Sequence, residues 1–328
     1  MSFPWQMAQW QQLISAKQRN KLPHALLLLG LQGMGKKEFA IAFAKAILCS
    51  EFDAQGHPCQ TCHACHLTRA NSHPDLLLIE PEQAGRIIKI DQIREVIHLA
   101  NETSQQGGFK VIIINPASAM NINAANALLK TLEEPALRTI FILLGDPNLR
   151  LPATIISRCQ KILFARPSTE MALAWLALQL PDATGDLKLL LDLAEGAPLK
   201  ARDLLASGAM TLRQELYQGL MLLSQKQADP LQLATQWQEA DASMFFNLLL
   251  SWLKDLLRFQ LTDGKAELIN KDYQSLFAQL GQKITRQNVL RYIDLAQKSY
   301  ASIIHSHNLN RQLLLEELFI YWIRYVSC

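Results

Sequence analysis

The sequence predicts an α/β domain of the P-loop class followed by helical domains, and three observations support this organisation. Short apolar segments alternate with helical patterns over residues 1–166, which is typical of a parallel sheet covered by helices. A glycine-rich turn with the spacing G-x-x-x-x-G-K joins the first of these segments to a helix. After Arg166-Pro167 the strand signals disappear, and helical segments rich in Leu, Gln and Ala continue to the C-terminus.

The composition is that of an ordered globular protein. Hydrophobic residues make up 49% of the 328 residues and charged residues 19%, with a net charge of +3. No apolar run reaches the roughly 20 residues of a membrane span, and the N-terminus lacks the pattern of a secretion signal. Most of the six Cys lie in one short stretch with metal-ligand spacing, which is typical of a reducing compartment. We therefore expect a cytoplasmic protein without membrane contact.

Four strands and three helices are expected in the first domain. The predicted strands are 25–29, 75–80, 110–114 and 139–144, and the predicted helices are 36–48, 90–101 and 121–134. The last two strands are too apolar to face water on either side, which indicates a sheet buried on both faces. Asp91 is a candidate cap of the second helix, and Pro135 ends the third.

The glycine-rich turn, Gly30-Leu-Gln-Gly-Met-Gly-Lys36-Lys37, retains part of a phosphate-binding site. Backbone N–H groups at the start of a helix can surround a phosphate, so Gly30, Gly33, Gly35 and Lys36 are candidate nucleotide-binding residues. A working site has Ser or Thr after the lysine, because the hydroxyl binds Mg²⁺. Lys37 occupies that position and cannot coordinate a cation.

Other parts of an ATP-hydrolysing site are also missing. Asn115-Pro116 stands at the end of strand 110–114, where ATPases have an Asp that holds the metal and a Glu that orients the attacking water. The next strand ends at Leu144-Gly145, without the polar side chain that usually senses the γ-phosphate. We therefore expect no hydrolysis by this chain alone. Nucleotide binding by the remaining turn stays open, although such a turn can also be a tight connection in an α/β fold.

Four cysteines with the spacing C-x9-C-x2-C-x2-C predict a metal site. Four thiolates with no open position suit a structural zinc ion. An iron–sulfur cluster stays open as an alternative, because its C-x2-C-x2-C core is similar. So does a histidine ligand in place of the first cysteine. The candidate ligands are Cys49, Cys59, Cys62 and Cys65, and the alternative histidines are His57, His63 and His66.

Three segments of the first domain match one known pattern. Residues 23–27 (PHALL) precede the glycine-rich turn, residues 125–135 read ANALLKTLEEP, and residues 151–159 read LPATIISRC. Together these segments resemble the AAA+ clamp loader subunits of bacterial DNA polymerase III. The resemblance implies an AAA+ domain over residues 1–166 with a zinc module at about 49–65. It further implies a small helical lid domain over residues 167–207 and a C-terminal helical collar domain over residues 208–328.

The resemblance also assigns roles to single residues. Arg158 in Ser157-Arg158-Cys159 matches the arginine finger, which reaches into the ATP site of the adjacent subunit. A planar cation supplied in trans stabilises the charge that builds up on the transferring phosphate. Leu199 stands where the ATP-binding members carry a phosphate-sensing arginine, which is a fourth missing element. The resemblance favours zinc held by all four cysteines.

The expected function is that of a non-hydrolysing stator subunit within the DNA polymerase III holoenzyme. The resemblance implies a hetero-oligomer with ATP-binding subunits of the gamma/tau type and a delta subunit. Through them the chain would act on the beta sliding clamp and primed DNA.

Two other hypotheses stay open. An ATPase subunit with unusual ligands would hydrolyse ATP alone and lose this activity on Lys36→Ala, and a zinc-dependent nucleic-acid-binding module would bind DNA in a salt-sensitive way.

Overall fold

A computed structural model of the chain describes residues 3–83, 86–106, 108–147, 151–181, 185–305 and 310–326. The chain forms two compact units, Met1–Ala172 and Leu173–Cys328. The predicted division of the helical part into a lid and a collar therefore stays a prediction. Among the described residues, no helix combines the length and apolarity needed to cross a membrane.

The first unit is built on a five-stranded parallel sheet. The four predicted strands are confirmed, and a fifth lies at one edge, next to the first. The strands are β1 (Ala25–Gly30), β2 (Leu76–Ile79), β3 (Lys110–Ile114), β4 (Thr139–Gly145) and β5 (Gln160–Phe164), in the order β2-β3-β4-β1-β5. Every residue of β3 and β4 is buried, because helices cover both faces of a parallel sheet.

Strand β5 was not predicted, because an edge strand does not need a continuous apolar run. Its residues alternate between exposed and buried, and Leu163 is 66% exposed. The buried Phe164 packs its ring edge-on against Phe39, with 5.0 Å between the ring centroids. This contact fixes the edge of the sheet beside the helix that follows β1.

Six α-helices lie wholly within the described part of this unit, and the three predicted helices are confirmed to within a residue at each end. They are α1 (Met7–Gln18), α2 (Lys36–Leu48), α3 (His63–Arg69), α4 (Ile90–Asn101), α5 (Ile122–Glu133) and α6 (Ala153–Ile156). The prediction that Asp91 caps α4 is wrong, since Lys89 is the N-cap residue. Asp91 lies in the first turn instead, where its negative charge interacts favourably with the positive end of the helix dipole.

The second unit is all-helical in its described part. Its helices bury a cluster of large aromatic side chains, including Phe246, Trp252, Phe277 and Trp322. Leu193 of the region predicted as a lid belongs to the same buried cluster. The helices are α7 (Thr169–Gln179), α8 (Leu187–Leu193), α9 (Pro198–Ala206), α10 (Ala209–Ser224), α11 (Pro230–Trp237), α12 (Ala242–Thr262), α13 (Gln274–Lys283), α14 (Arg286–His305) and α15 (Arg311–Val326).

Candidate functional site

The glycine-rich turn lies at the carboxyl edge of the sheet, between β1 and α2. Gly35 is the N-cap of α2 and has φ 78°, and Gly33 has φ 82°. The short turn Pro4–Gln6 packs against the outside of this P-loop, since the Gln6 amide donates to the carbonyls of Met34 and Gly35 at 2.9 Å. The sequence therefore builds the backbone of a phosphate-binding loop in the expected place.

Packing alone accounts for two of the P-loop glycines. A Cβ atom on Gly30 would lie 2.7 Å from the carbonyl oxygen of Phe164 on the neighbouring strand. A Cβ atom on Gly35 would collide with the Phe3 ring, and its positive φ is also unfavourable for other residues. These glycines are thus required whether or not a nucleotide binds, and their presence is weak support for nucleotide binding.

We expect Gly30→Ala to destabilise the first unit by about 1–3 kcal/mol, the usual cost of inserting a methyl group into a packed site. The physical reason is the forced separation of β1 from β5 at Phe164. Urea denaturation followed by circular dichroism measures the change. Gly108→Ala is the matched control, because no atom lies within 4 Å of the added Cβ there. Equal stability of the two variants would contradict the packing role.

Lys36 turns back onto its own loop. Its ammonium donates to the carbonyl of Leu31 at 2.9 Å, to the carbonyl of Gly30, and to Asp146 Oδ1 at 3.1 Å. The side chain is only 10% exposed. Burial lowers the pKa of Lys36 below its usual value, and the Asp146 carboxylate partly offsets that effect.

Asp146 corrects one expectation from the sequence. The strand β4 ends without a polar side chain at Gly145, as predicted, but the next residue supplies a carboxylate to the loop. A carboxylate at this place repels a γ-phosphate, whereas the usual neutral or cationic side chain attracts it. The sequence signal was an acidic residue directly after a buried strand, at the edge where the P-loop lies.

Lys37 also has a carboxylate partner that the sequence reasoning missed. Its ammonium lies 2.6 Å from Glu80 Oε2, and the Asn115 amide donates to Glu80 Oε1, also at 2.6 Å. Glu80 directly follows β2 and Asn115 directly follows β3, so both side chains reach the same edge of the sheet. Lys37 and Asn115, which stand in the places of the Mg²⁺ ligands, thus both contact Glu80.

Leu199, in the place of a phosphate-sensing arginine, lies in α9 and is 5% exposed. Its apolar side chain is buried. Leucine offers no charge to a phosphate, and the loss of a phosphate-sensing arginine at this position stays a prediction from the resemblance.

The four cysteines of the predicted metal site come together. Their Sγ atoms all lie within 4.8 Å of one another, with Cys49–Cys62 and Cys59–Cys65 separations of 3.9 Å and a Cys49–Cys65 separation of 3.6 Å. Zinc–sulfur bonds of about 2.3 Å place tetrahedral sulfur atoms about 3.8 Å apart. The thiols therefore fit a single tetrahedral ion of this size.

The local backbone arranges these thiols. Cys49 directly follows α2, and Cys62 is the N-cap of α3. Backbone N–H groups of Cys59, Cys62 and Cys65 donate to the sulfur of another cysteine of the cluster, at 3.2, 3.3 and 3.4 Å. Such hydrogen bonds stabilise thiolates, which are the form that binds a metal.

The group of potential metal ligands found among the described residues contains the four cysteines and no histidine. The ring of His57 stacks on Trp10 with 5.7 Å between centroids, and its Nδ1 lies 3.2 Å from Asp53 Oδ2. The geometry therefore does not support a histidine ligand in place of Cys49. The close sulfur spacing also favours one ion over a cluster of several irons.

Arg158 lies near the amino ends of the parallel strands, whereas the P-loop lies at their carboxyl ends. It precedes β5, whose first residue, Gln160, pairs with Leu26, whereas the last residue, Phe164, pairs with Gly30. At about 3.3 Å per residue, these four steps alone separate the two ends of β5 by roughly 13 Å. The arginine therefore cannot reach a phosphate bound in its own P-loop. This separation follows from strand direction, and the sequence motif alone did not reveal it.

The residues next to Arg158 are buried, while its guanidinium lies near the surface. Ile155 and Cys159 on either side are buried in the core, and burial raises the pKa of the Cys159 thiol to about 11. The guanidinium donates to the carbonyl of Thr154 at 2.7 Å and to the Glu133 carboxylate, and the side chain is 31% exposed. The partly exposed guanidinium thus belongs to a segment whose neighbouring residues are buried in the core.

Comparison with known proteins identifies the family of this chain. A family model described as "DNA polymerase III, delta subunit" matches residues 5–168, and one described as "DNA polymerase III, delta subunit, C terminal" matches residues 207–324. The DNA polymerase III subunit delta' of Pseudomonas aeruginosa is 38% identical over 98% of this chain and 97% of its own length. The chain belongs to the delta-prime family of DNA polymerase III subunits.

Other delta-prime subunits are similar over nearly their full length. That of Escherichia coli is 30% identical over 97% of this chain and 94% of its own length. That of Bacillus subtilis is 31% identical over 94% and 93%, respectively. These similarities confirm the family resemblance stated from the sequence motifs, and with the parallel sheet they confirm the AAA+ fold class.

Proposed function

We propose that the chain is the non-hydrolysing stator subunit of a bacterial clamp loader and acts in the cytoplasm within the DNA polymerase III holoenzyme. It assembles with ATP-binding subunits of the gamma/tau type and with a delta subunit. It places Arg158 in the ATP site of a neighbouring subunit, and the complex loads the beta sliding clamp onto primed DNA. The observation that carries this proposal is the position of Arg158 between residues buried in the core, at the amino ends of the strands and opposite to its own P-loop.

The absence of intrinsic hydrolysis is supported by the contacts of the P-loop. A hydrolytic site needs a hydroxyl and a carboxylate for Mg²⁺, and a side chain that orients water. Lys37 and Asn115 stand in the places of the metal ligands, and both contact Glu80. The pairing of Lys36 with Asp146 leaves the phosphate-binding lysine neutralised.

The four-cysteine cluster supports a structural zinc ion as part of the proposal. Cys49, Cys59, Cys62 and Cys65 would hold it, and no ligand position would remain for catalysis. When bound, the ion cross-links the polar segment between α2 and α3. That segment also contacts α1, since Trp10 Nε1 donates to the carbonyl of Gln55 and the Trp10 ring stacks on His57. The ion would therefore add folding free energy to these contacts rather than supply chemistry.

Reconstitution of the complex tests the proposed function. The chain alone should release no phosphate from ATP above the protein-free rate. Added to gamma/tau-type and delta subunits with clamp and primed DNA, it should raise both ATP hydrolysis and clamp loading. Phosphate release and the transfer of a labelled clamp to DNA measure the two effects. Hydrolysis by the chain alone that disappears on Lys36→Ala would instead establish an active ATPase subunit.

A further inference from the structure

Both lysines of the P-loop are already neutralised by carboxylates of the same chain. Lys36 pairs with Asp146 at 3.1 Å, and Lys37 pairs with Glu80 at 2.6 Å. The two carboxylates come from residues that directly follow β4 and β2, at the edge of the sheet where a nucleotide phosphate and its metal would bind.

The hydrogen bonds of Lys36 account for all the donors of its ammonium. A lysine side chain has three N–H donors. Here they meet three acceptors, namely the carbonyls of Gly30 and Leu31 and the carboxylate of Asp146. A phosphate oxygen that bound this lysine would have to displace one of them. Asp146 is the acceptor that most resembles a phosphate, because it is the only anion of the three.

The contacts of Lys37 complete the arrangement. In an active P-loop, the residue after the lysine binds the divalent cation through a hydroxyl, and an acidic residue after a neighbouring strand assists it. Lys37 brings an ammonium to this region, and its partner Glu80 is held from the other side by the Asn115 amide at 2.6 Å. The Lys37 ammonium would repel a Mg²⁺ ion near Glu80, and the ion would have to displace the ammonium to bind there.

We propose that the Asp146 carboxylate takes the place of a nucleotide phosphate and the Lys37 ammonium takes the place of its Mg²⁺ ion. These two side chains prevent Mg–ATP from binding to the P-loop. The loop then keeps one conformation throughout the ATP cycle of the complex. This inference concerns the P-loop of the chain itself and is independent of where Arg158 acts, so either proposal can fail alone.

Equilibrium binding of a fluorescent, ribose-labelled ATP analogue to the full chain tests the inference. The wild type should show no saturable binding, with or without Mg²⁺. Asp146→Asn removes the negative charge beside Lys36 and should produce saturable binding that does not depend on Mg²⁺, because the Lys37 ammonium remains. Adding Lys37→Thr restores a hydroxyl beside Glu80, so the double variant should bind at least about tenfold tighter with Mg²⁺ than with a chelator.

Asp146→Asn combined with Lys37→Arg is the matched control, because it keeps a cation at position 37. It should bind the analogue without Mg²⁺ dependence. Thermal denaturation without nucleotide establishes that each variant is folded. Wild-type binding as tight as that of the double variant would overturn the inference. So would a folded double variant that fails to bind, because the two ion pairs would then not be what excludes the nucleotide.

Discussion

Replacing Arg158 with alanine should slow ATP hydrolysis at the neighbouring subunit's site by about 10³-fold or more, the usual effect of losing an arginine finger. The guanidinium stabilises charge that develops only in the transition state, so the affinity of that site for ATP should change little. Single-turnover hydrolysis by the reconstituted complex measures the effect. The fast phase should lose the amplitude that belongs to one site, while the other sites keep theirs.

Two further variants separate this role from general effects on assembly. Arg158→Lys keeps the charge but loses the planar pair of donors, so it should restore only part of the rate. Lys161→Ala removes an exposed cation three residues along the chain and should leave the rate unchanged. An unaltered fast phase in Arg158→Ala, in a complex of normal composition, would eliminate the trans role.

Replacing Cys62 with serine should remove the bound metal almost completely and disorder the segment between α2 and α3. Cys62 supplies one of four closely spaced sulfur atoms and is also the N-cap of α3, where its sulfur accepts from the backbone of Cys65. A neutral hydroxyl binds zinc far more weakly than a thiolate. Elemental analysis should give about one zinc per wild-type chain and less than about a tenth in the variant.

Limited proteolysis should then cut the variant between α2 and α3, where the wild type resists cleavage. Cys159→Ala is the matched control, because it removes a thiol that is buried in the core away from the cluster. His57→Ala should also keep its zinc, since that ring contacts Trp10 and Asp53. Zinc retention by Cys62→Ser, or zinc loss in His57→Ala, would contradict the four-thiolate site.

Much of the first unit could be predicted because its sequence signals are local. Apolar runs located β3 and β4, and the apolar spacing located α5, whose capping residue Asn121 accepts from the backbone of Ala124. The cysteine spacing located the four-cysteine cluster in the same way. Strand β5 was not predicted because three of its five residues are exposed, so it lacks the apolar run that identifies a buried strand.

The ion pairs of the P-loop could not be predicted, because they join residues far apart in the chain. Lys36 meets Asp146 and Lys37 meets Glu80 only because parallel strands end at a common edge. The sequence marked what was missing from the site, but an acidic residue after a strand does not by itself reveal which lysine it pairs with. Strand direction likewise placed Arg158 away from its own P-loop, which the motif around it did not indicate.

The central claim is that this chain completes a neighbour's ATP site and does not use its own. The most direct test compares Arg158→Ala with Lys36→Ala in the same reconstituted complex, in the presence of clamp and primed DNA. The account predicts that Arg158→Ala removes the fast hydrolysis phase of one site, whereas Lys36→Ala leaves hydrolysis at the wild-type rate. Loss of hydrolysis on Lys36→Ala, with a wild-type rate for Arg158→Ala, would contradict it.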